Sequence, residues 1–454
     1  MASGQTKIKM VLSAKASRDR LSEKPPLAFV PAKEFDGPSV LIDPRPRFQT
    51  IEGFGGAFTE SAAVVLKTLP PAQRLQVLRE YFDPKKGIGY NVGRVPMNSS
   101  DFSIGNWACD DVPGDVQLKH FSIERDRQAT IPMIKAAQKI ADGKIKLFAS
   151  PWSPPAWMKT NGEMNHGGKL KPQYRRVWAN YYCRFFKEFA GEGIKFWGLT
   201  VQNEPEANQP FDSCIWSGAE ERDFVRDHLG PALHKAGLSY LKLMIWDHNR
   251  DIMVERAKAV YDDPRASKYV WGTAFHWYNG DHFENVRKVH DAWPDKKLFF
   301  TEGCVRMDPK ADQWEIGERY AKSIIKDLNN WATGWTDWNM ILDINGGPRH
   351  VPGPLSAPIL IDSLHKKAIK VSSFYYMGHF SKFIRPGAVR IMAAASKEEL
   401  ESTAFLNTDG TIAAVIMNRS AKAIRFALKY EGKMSMVKLP ARAITTLLFP
   451  AGRR

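Results

Sequence analysis

Two glutamates carry the chemistry this sequence suggests. Glu204 closes the stretch Gln202-Asn203-Glu204-Pro205 and Glu302 sits in Thr301-Glu302-Gly303, each after a short apolar run. Paired carboxyl groups on separate elements, facing each other across a sugar ring, are what glycoside cleavage requires. One protonates the leaving oxygen; the other attacks the anomeric carbon or activates water. Glu204 is assigned the acid/base role and Glu302 the nucleophilic one. Burial and the charge of Glu302 are expected to keep Glu204 protonated. Arg94 is expected to hold Glu302 ionised, and Tyr278 to orient it by a hydrogen bond. Aromatic and polar residues end the neighbouring runs: Asp101, Trp152, Trp157, Asn203, His276, Trp277, Tyr278 and Trp338. Indole and phenol faces suit the C–H faces of sugars, and Asp, Asn and indole N–H groups suit the hydroxyls. Each piece also has a plainer reading: Glu302 as a paired structural carboxylate, His276 as a satisfied core histidine, the tryptophans as packing.

These residues need elements that bring them to one place. Eight short apolar runs begin near Gly53, Tyr90, Ile145, Phe196, Leu241, Tyr269, Lys297 and Gly334. The segments between them have helical spacing, as in 174–191. Strand–helix alternation of this kind predicts an α/β fold, a (β/α)8 barrel, whose reacting groups lie at the C-terminal strand ends. From about Lys382 onward the pattern changes to short alternating runs, with a hairpin signal at Thr408-Asp409-Gly410-Thr411. Lys7–Ser13 and Ser39–Ile42 read as strands in need of partners. The expected organisation is N-terminal strands in 1–45, a catalytic barrel in 46–380 and a C-terminal β-sandwich in 381–454. Both termini contribute to one appended antiparallel β domain.

Composition narrows the function classes. The 454 residues are 43% apolar and 25% charged, ample for a packed core, which excludes wholesale disorder. No run approaches the roughly 18 apolar residues of a transmembrane helix. Four cysteines without a C-x-x-C pair offer no disulfide scaffold, and nothing near His276 has metal-ligand spacing. Neither a cofactor nor a metal is expected. The formal charge is +16, yet the basic residues are dispersed, so a solvated basic face is expected and nucleic acid is not a predicted partner. Gly53-Phe54-Gly55-Gly56 lacks the third glycine of a dinucleotide loop, and P-loop, H-E-x-x-H and G-x-S-x-G patterns are absent. The first ten residues contain no apolar leader core. That fits an intracellular protein or one whose leader has been removed, with a secreted or periplasmic location the expectation.

At these residues the chain resembles glycoside hydrolase family 30, whose best-known members are the glucosylceramidases. The match runs through Ile51–Glu60, Ala149–Gly162, Asn203-Glu204-Pro205, His276-Trp277-Tyr278, Glu302-Gly303-Cys304, Gly334–Asn339 and Gly378–Ile384. The resemblance implies a retaining β-glycosidase with Glu204 as acid/base and Glu302 as nucleophile. It implies a glucose subsite from Asp101, Trp152, Asn203 and Trp338, with Asn203 on the 2-hydroxyl and Trp277 and Tyr278 lining the mouth. Phe211 and His350 would border the leaving-group side. There the chain departs from the glucosylceramidase pattern: after Gly346-Gly347-Pro348 it has Arg349-His350-Val351-Pro352-Gly353, and the segment after Glu204 is shorter. Endo-β-1,6-glucanases of the same family are similar as well. The expected substrate is therefore a β-glucoside, a β-glucan or a glucosylated lipid. Xylosidase, fucosidase or xylan activity and a non-catalytic sugar-binding barrel are the alternatives.

Overall fold

The computed structural model describes residues 6–452 except positions 309 and 311. Eight parallel strands close into a barrel in chain order: β1 (Gly53–Ala57), β2 (Val92–Met97), β3 (Lys146–Pro151), β4 (Gly198–Thr200), β5 (Lys242–Asn249), β6 (Gly272–His276), β7 (Lys297–Glu302) and β8 (Ala332–Asn339). All eight coincide with the predicted runs. Strand β1 explains the glycine-rich motif that is not a nucleotide loop. A Cβ at Gly55 would lie 1.8 Å from the Val92 carbonyl oxygen, so only glycine lets β1 and β2 pair there. The helix expected over 174–191 spans Arg175–Gly191. It buries Trp178, Tyr181, Tyr182, Phe185 and Phe189 on its inner side at three- and four-residue spacing.

The β domain is built from both ends of the chain. Strand Lys7–Ala14 lies between Ser22–Ala28 and the last strand, Ala443–Pro450, with Lys9 opposite Leu448 and Ala14 opposite Ala443. The strand Ser39–Thr50 runs on past positions 45 and 46 and pairs with Val389–Ala395. The predicted hairpin joins Leu400–Leu406 to Thr411–Asn418, with Gly410 at φ +83° in the turn. Three strands escape the sequence reading, one of them the two-residue Val30–Pro31. Ser22–Ala28 carries two prolines, and Lys433–Leu439 mixes charged with apolar residues. The domain also departs from strict antiparallel order, because Ser39–Thr50 runs parallel to Ile424–Tyr430.

A small three-stranded sheet, unforeseen from sequence, joins Ile341–Asp343, Ile359–Asp362 and Lys367–Lys370. It anchors both ends of the loop that carries Arg349 and His350 over the barrel mouth.

His379, in the helix Ser372–Ser381, ties barrel to β domain. Its Nδ1 is 2.8 Å from Thr446 Oγ1 and its Nε2 is 3.0 Å from Ser13 Oγ, all fully buried. Both ring nitrogens have neutral partners, so burial pushes the imidazole down to about 3. The unfolded chain binds this proton near the ordinary value of 6.5 and the folded chain does not. The stability His379 confers is thus complete above pH 6.5 and declines as pH falls toward 3. We expect the melting temperature of His379→Asn to depend less steeply on pH between 6.5 and 4 than that of the wild type. Parallel melting curves for the two proteins would refute this.

Candidate active site

Alternation along the strands stacks two layers inside the barrel. Val92, Phe148, Met244, Ala274 and Phe299 form an apolar floor. Two residues further on, Arg94, Ser150, Thr200, His276 and Thr301 form a polar layer toward the mouth. Asp247 joins this layer through a break in regularity. Trp246 and Asp247 have φ of 73° and 57°, and the β5–β6 register shifts there. The bulge turns Asp247 inward. One of its oxygens accepts from Thr301 at 2.5 Å and lies 3.0 Å from His276 Nε2. The other accepts from Thr200 at 2.6 Å and Arg94 at 2.8 Å. Burial raises this carboxyl, but Arg94 and His276 outweigh it and hold Asp247 well below the usual range.

Arg94 is fully buried and distributes its donors over four groups. Nη1 donates to Glu302, Nη2 to Asn203 at 2.9 Å as well as to Asp247, and Nε to Ser150 at 3.0 Å. Its guanidinium carbon lies 4.6 Å from the Trp152 ring centroid, and Trp152 stacks on Trp338 at 4.8 Å. The Tyr278 hydroxyl donates to the other Glu302 oxygen at 2.7 Å and lies 3.1 Å from Cys304 Sγ. Burial keeps the phenol protonated, far above its ordinary value. Both partners foreseen for Glu302 are in place.

Glu204 follows Asn203 with φ of 47°, a left-handed conformation uncommon for a side chain of this size. Its Oε1 is 3.2 Å from His276 Nδ1 and 4.0 Å from His248 Nε2. One oxygen each from Glu204 and Glu302 and one His276 nitrogen lie within 4.8 Å of one another. Among the described residues this trio is also the one set spaced to hold a metal ion, but Arg94 and His276 already supply positive charge to it.

The electrostatics correct one expectation. Burial pushes Glu204 up, but His248 and His276 outweigh it and leave the carboxyl below its ordinary value. Burial pushes Glu302 up too, against the pull of His276 and Arg94 and with the repulsion of Glu204 adding to it, and the result is a raised value. The elevated group was expected to be Glu204. Two flanking imidazoles, which only folding brings there, reverse the order. His276 itself is disfavoured as a cation by burial, yet the Glu302 charge and its contacts to Asp247 and Glu204 push it up to about 9. The His276 Nδ1 faces Glu204 Oε1 across 3.2 Å.

Glu204 and Glu302 open on a cavity of about 440 Å3 whose wall includes Asp101, Phe211, Tyr278 and Trp338. Trp152 and Asn203 lie just beneath, in contact with Trp338 and Arg94. His276 is behind Glu204, away from solvent. Trp277 is not at the mouth as expected. As the neighbour of His276 and Tyr278 it points the other way, against Phe300, Tyr320 and Trp335. His350 also turns from the cavity, its Nδ1 3.2 Å from the Ser103 carbonyl and its Nε2 3.3 Å from Asp212. Its neighbour Arg349 faces inward, 3.3 Å from Asp101. Burial pushes Asp101 up to about 7, with Arg349 opposing and Glu302 and Glu204 reinforcing. Asp247, His248 and Arg349 were missed as site residues. Asp247-His248-Asn249 ends the fifth strand, so the strand-end rule that found Glu204 also reaches Asp247 and His248, whereas Arg349 sits on a loop outside that rule.

Comparison with known proteins agrees with this geometry. Residues 51–384 match the glycosyl hydrolase family 30 TIM-barrel domain and residues 387–447 the β-sandwich domain of that family. The lysosomal acid glucosylceramidase of Mus musculus is 39% identical over 402 residues, covering 84% of this chain and 78% of the mouse protein. The endo-1,6-beta-D-glucanase of Neurospora crassa is 28% identical, covering 91% of this chain and 88% of its own. The crystal structure of SrfJ from Salmonella typhimurium superposes with a TM-score of 0.94 at 36% identity, covering 98% of this chain and 100% of that one. The endo-beta1,6-glucanase BT3312 does so with a TM-score of 0.88 at 28% identity, with the same coverage of each chain. With both halves of the family architecture present, the chain belongs to glycosyl hydrolase family 30 and is a glycosidase.

Proposed function

We propose that this glycosidase cleaves β-linked glucose with retention, in two displacements. The observation that carries the reading is the approach of a Glu204 oxygen and a Glu302 oxygen to within 4.8 Å. Carboxyl groups about 5–5.5 Å apart go with a covalent intermediate, whereas about 6.5–9.5 Å leaves room for an inverting water. In the first step a Glu302 oxygen attacks C1 of the glucosyl unit. Glu204 passes its proton to the glycosidic oxygen, which leaves as an alcohol. In the second, Glu204 takes a proton from water, the resulting hydroxide adds to C1, and the ester bond to Glu302 breaks.

The surrounding groups serve these steps. The proton reaches Glu204 from His276 Nδ1 across 3.2 Å, while Arg94 and Tyr278 keep two donors on Glu302. The guanidinium does not deprotonate, so Arg94 keeps its positive charge on Glu302 when the His276–Glu204 proton moves. The Asn203 oxygen is taken by Arg94, which leaves its amide N–H to donate to the sugar 2-hydroxyl. Trp338 over Trp152 supplies the apolar face for the ring. On the leaving side, Phe211, Val351, Pro352 and Leu355 favour an apolar aglycone such as a glucosylated lipid. The charged Arg306 and Arg349 beside them suit a second sugar. Both substrate types are consistent with the relatives named above.

Glu302→Gln should lower kcat on any β-glucoside by at least about a thousandfold while the protein still folds. Residual wild-type turnover in a folded variant would remove Glu302 from the reaction. Glu204→Ala should lose about 10²- to 10⁴-fold on gentiobiose or glucosylceramide and far less on a dinitrophenyl glucoside, whose leaving group needs no proton. Equal losses on both would assign Glu204 another role. The anomer first released, followed by proton NMR, should be β; initial α-glucose would contradict retention.

A further inference from the structure

A second, larger recess adjoins the catalytic cavity. It measures about 800 Å3 and runs from the mouth, along the helix Gln313–Asn329, to the β-domain loops at Arg419 and Arg442. The wall between the two spaces is thin. Tyr278 borders both, and along the loop after β7 the side chains alternate, with Cys304 and Arg306 facing the catalytic cavity and Val305 the recess. Tyr278 is the side chain common to both linings.

The chemistry of its lining narrows the occupant. The chain as a whole carries +16, yet the recess has four acidic and four basic side chains. Most of these charges are paired within the wall. Lys322 lies 2.5 Å from Asp281, and Arg442 grips Glu318 through bonds of 2.5 and 2.6 Å. Paired charges present dense donors and acceptors with no net field, which suits a neutral, hydroxyl-rich ligand better than an anion. Arg319 differs from the others. Its guanidinium lies 4.6 Å over the Trp277 ring and makes no ion pair among the described residues, so its in-plane donors are free for ligand hydroxyls. The volume lies within the range of ligand-binding cavities.

From this the geometry points to a remote saccharide-binding groove, occupied by the part of a gluco-oligosaccharide that extends beyond the catalytic cavity. It rests on the reading of that cavity as a site for β-linked glucose. The groove adds affinity for long substrates and leaves short ones unaffected. The test uses the full-length Glu302→Gln protein, which binds without turnover, titrated calorimetrically with gentiobiose and with a long β-1,6-gluco-oligosaccharide. The longer sugar should bind about tenfold tighter, and Arg319→Ala or Asp281→Ala should abolish that advantage. In the otherwise wild-type enzyme, the same two substitutions should leave kcat/KM on an aryl β-glucoside unchanged. Equal affinity for both sugars, an advantage that survives both substitutions, or a matching loss on the aryl glucoside would overturn the groove. Failure of the glucoside reading is distinct: it appears as wild-type enzyme that does not turn over the aryl β-glucoside, whatever the titrations give.

Discussion

A guanidinium sealed inside the barrel is the constraint on which the site depends. Arg94 has no access to water, and a buried charge is tolerated only when fully paired and hydrogen-bonded. Asp247, Glu302, Asn203 and Ser150 provide that pairing from four other strand ends, so the cation pins the relative positions of β2, β3, β4, β5 and β7. Removing one partner of such a buried pair typically costs about 3–5 kcal/mol. Geometry and stability are thus coupled: the strands cannot shift without leaving Arg94 or Asp247 unpaired, and Glu302 is held by the same cation.

The polar layer is possible because of what lies beneath and around it. The aromatic and aliphatic floor fills the lower barrel and keeps water from the underside of Arg94 and Asp247. In that dry setting each charge acts strongly on its neighbours, which is why His276 is pushed up while Asp247 and Glu204, which it touches, are held below their ordinary values. The unusual backbone at Glu204, Trp246 and Asp247 belongs to the same economy. Three residues in the left-handed region aim side chains that a regular strand would turn elsewhere, and the packed barrel absorbs the cost.

Substrate choice is separated from this rigid centre. The loop between Ile341–Asp343 and Ile359–Asp362 lines one side of the cavity and brings Arg349 beside Asp101. The loop after β7 divides the catalytic cavity from the recess along the β domain. Such loops can vary without disturbing the barrel interior, which is consistent with relatives that share the fold and differ in the substrates their names give.

Much of this was readable in the linear chain. Eight apolar runs ending in polar residues announced the barrel, because strands buried on both faces read as near-continuous apolar segments. The same strand ends located Glu204, Glu302, Arg94 and Tyr278, since a barrel brings its C-terminal ends to one mouth whatever its loops do. Other features depended on single-residue geometry that spacing does not encode. Trp277 and His350 point away although their neighbours Tyr278 and Arg349 line the cavity, because in the loops that carry them adjacent side chains leave the backbone in different directions. Asp247 enters through a bulge with no sequence signature, and His248 reaches Glu204 from the same irregular strand end. The sequence by itself determined which residue types sit at the strand ends, and hence the fold and the class of chemistry. Only the tertiary structure decided which partners surround each carboxyl, because proton affinity in a buried site depends on charges a few ångströms away, and those charges are contributed by strands far apart along the chain.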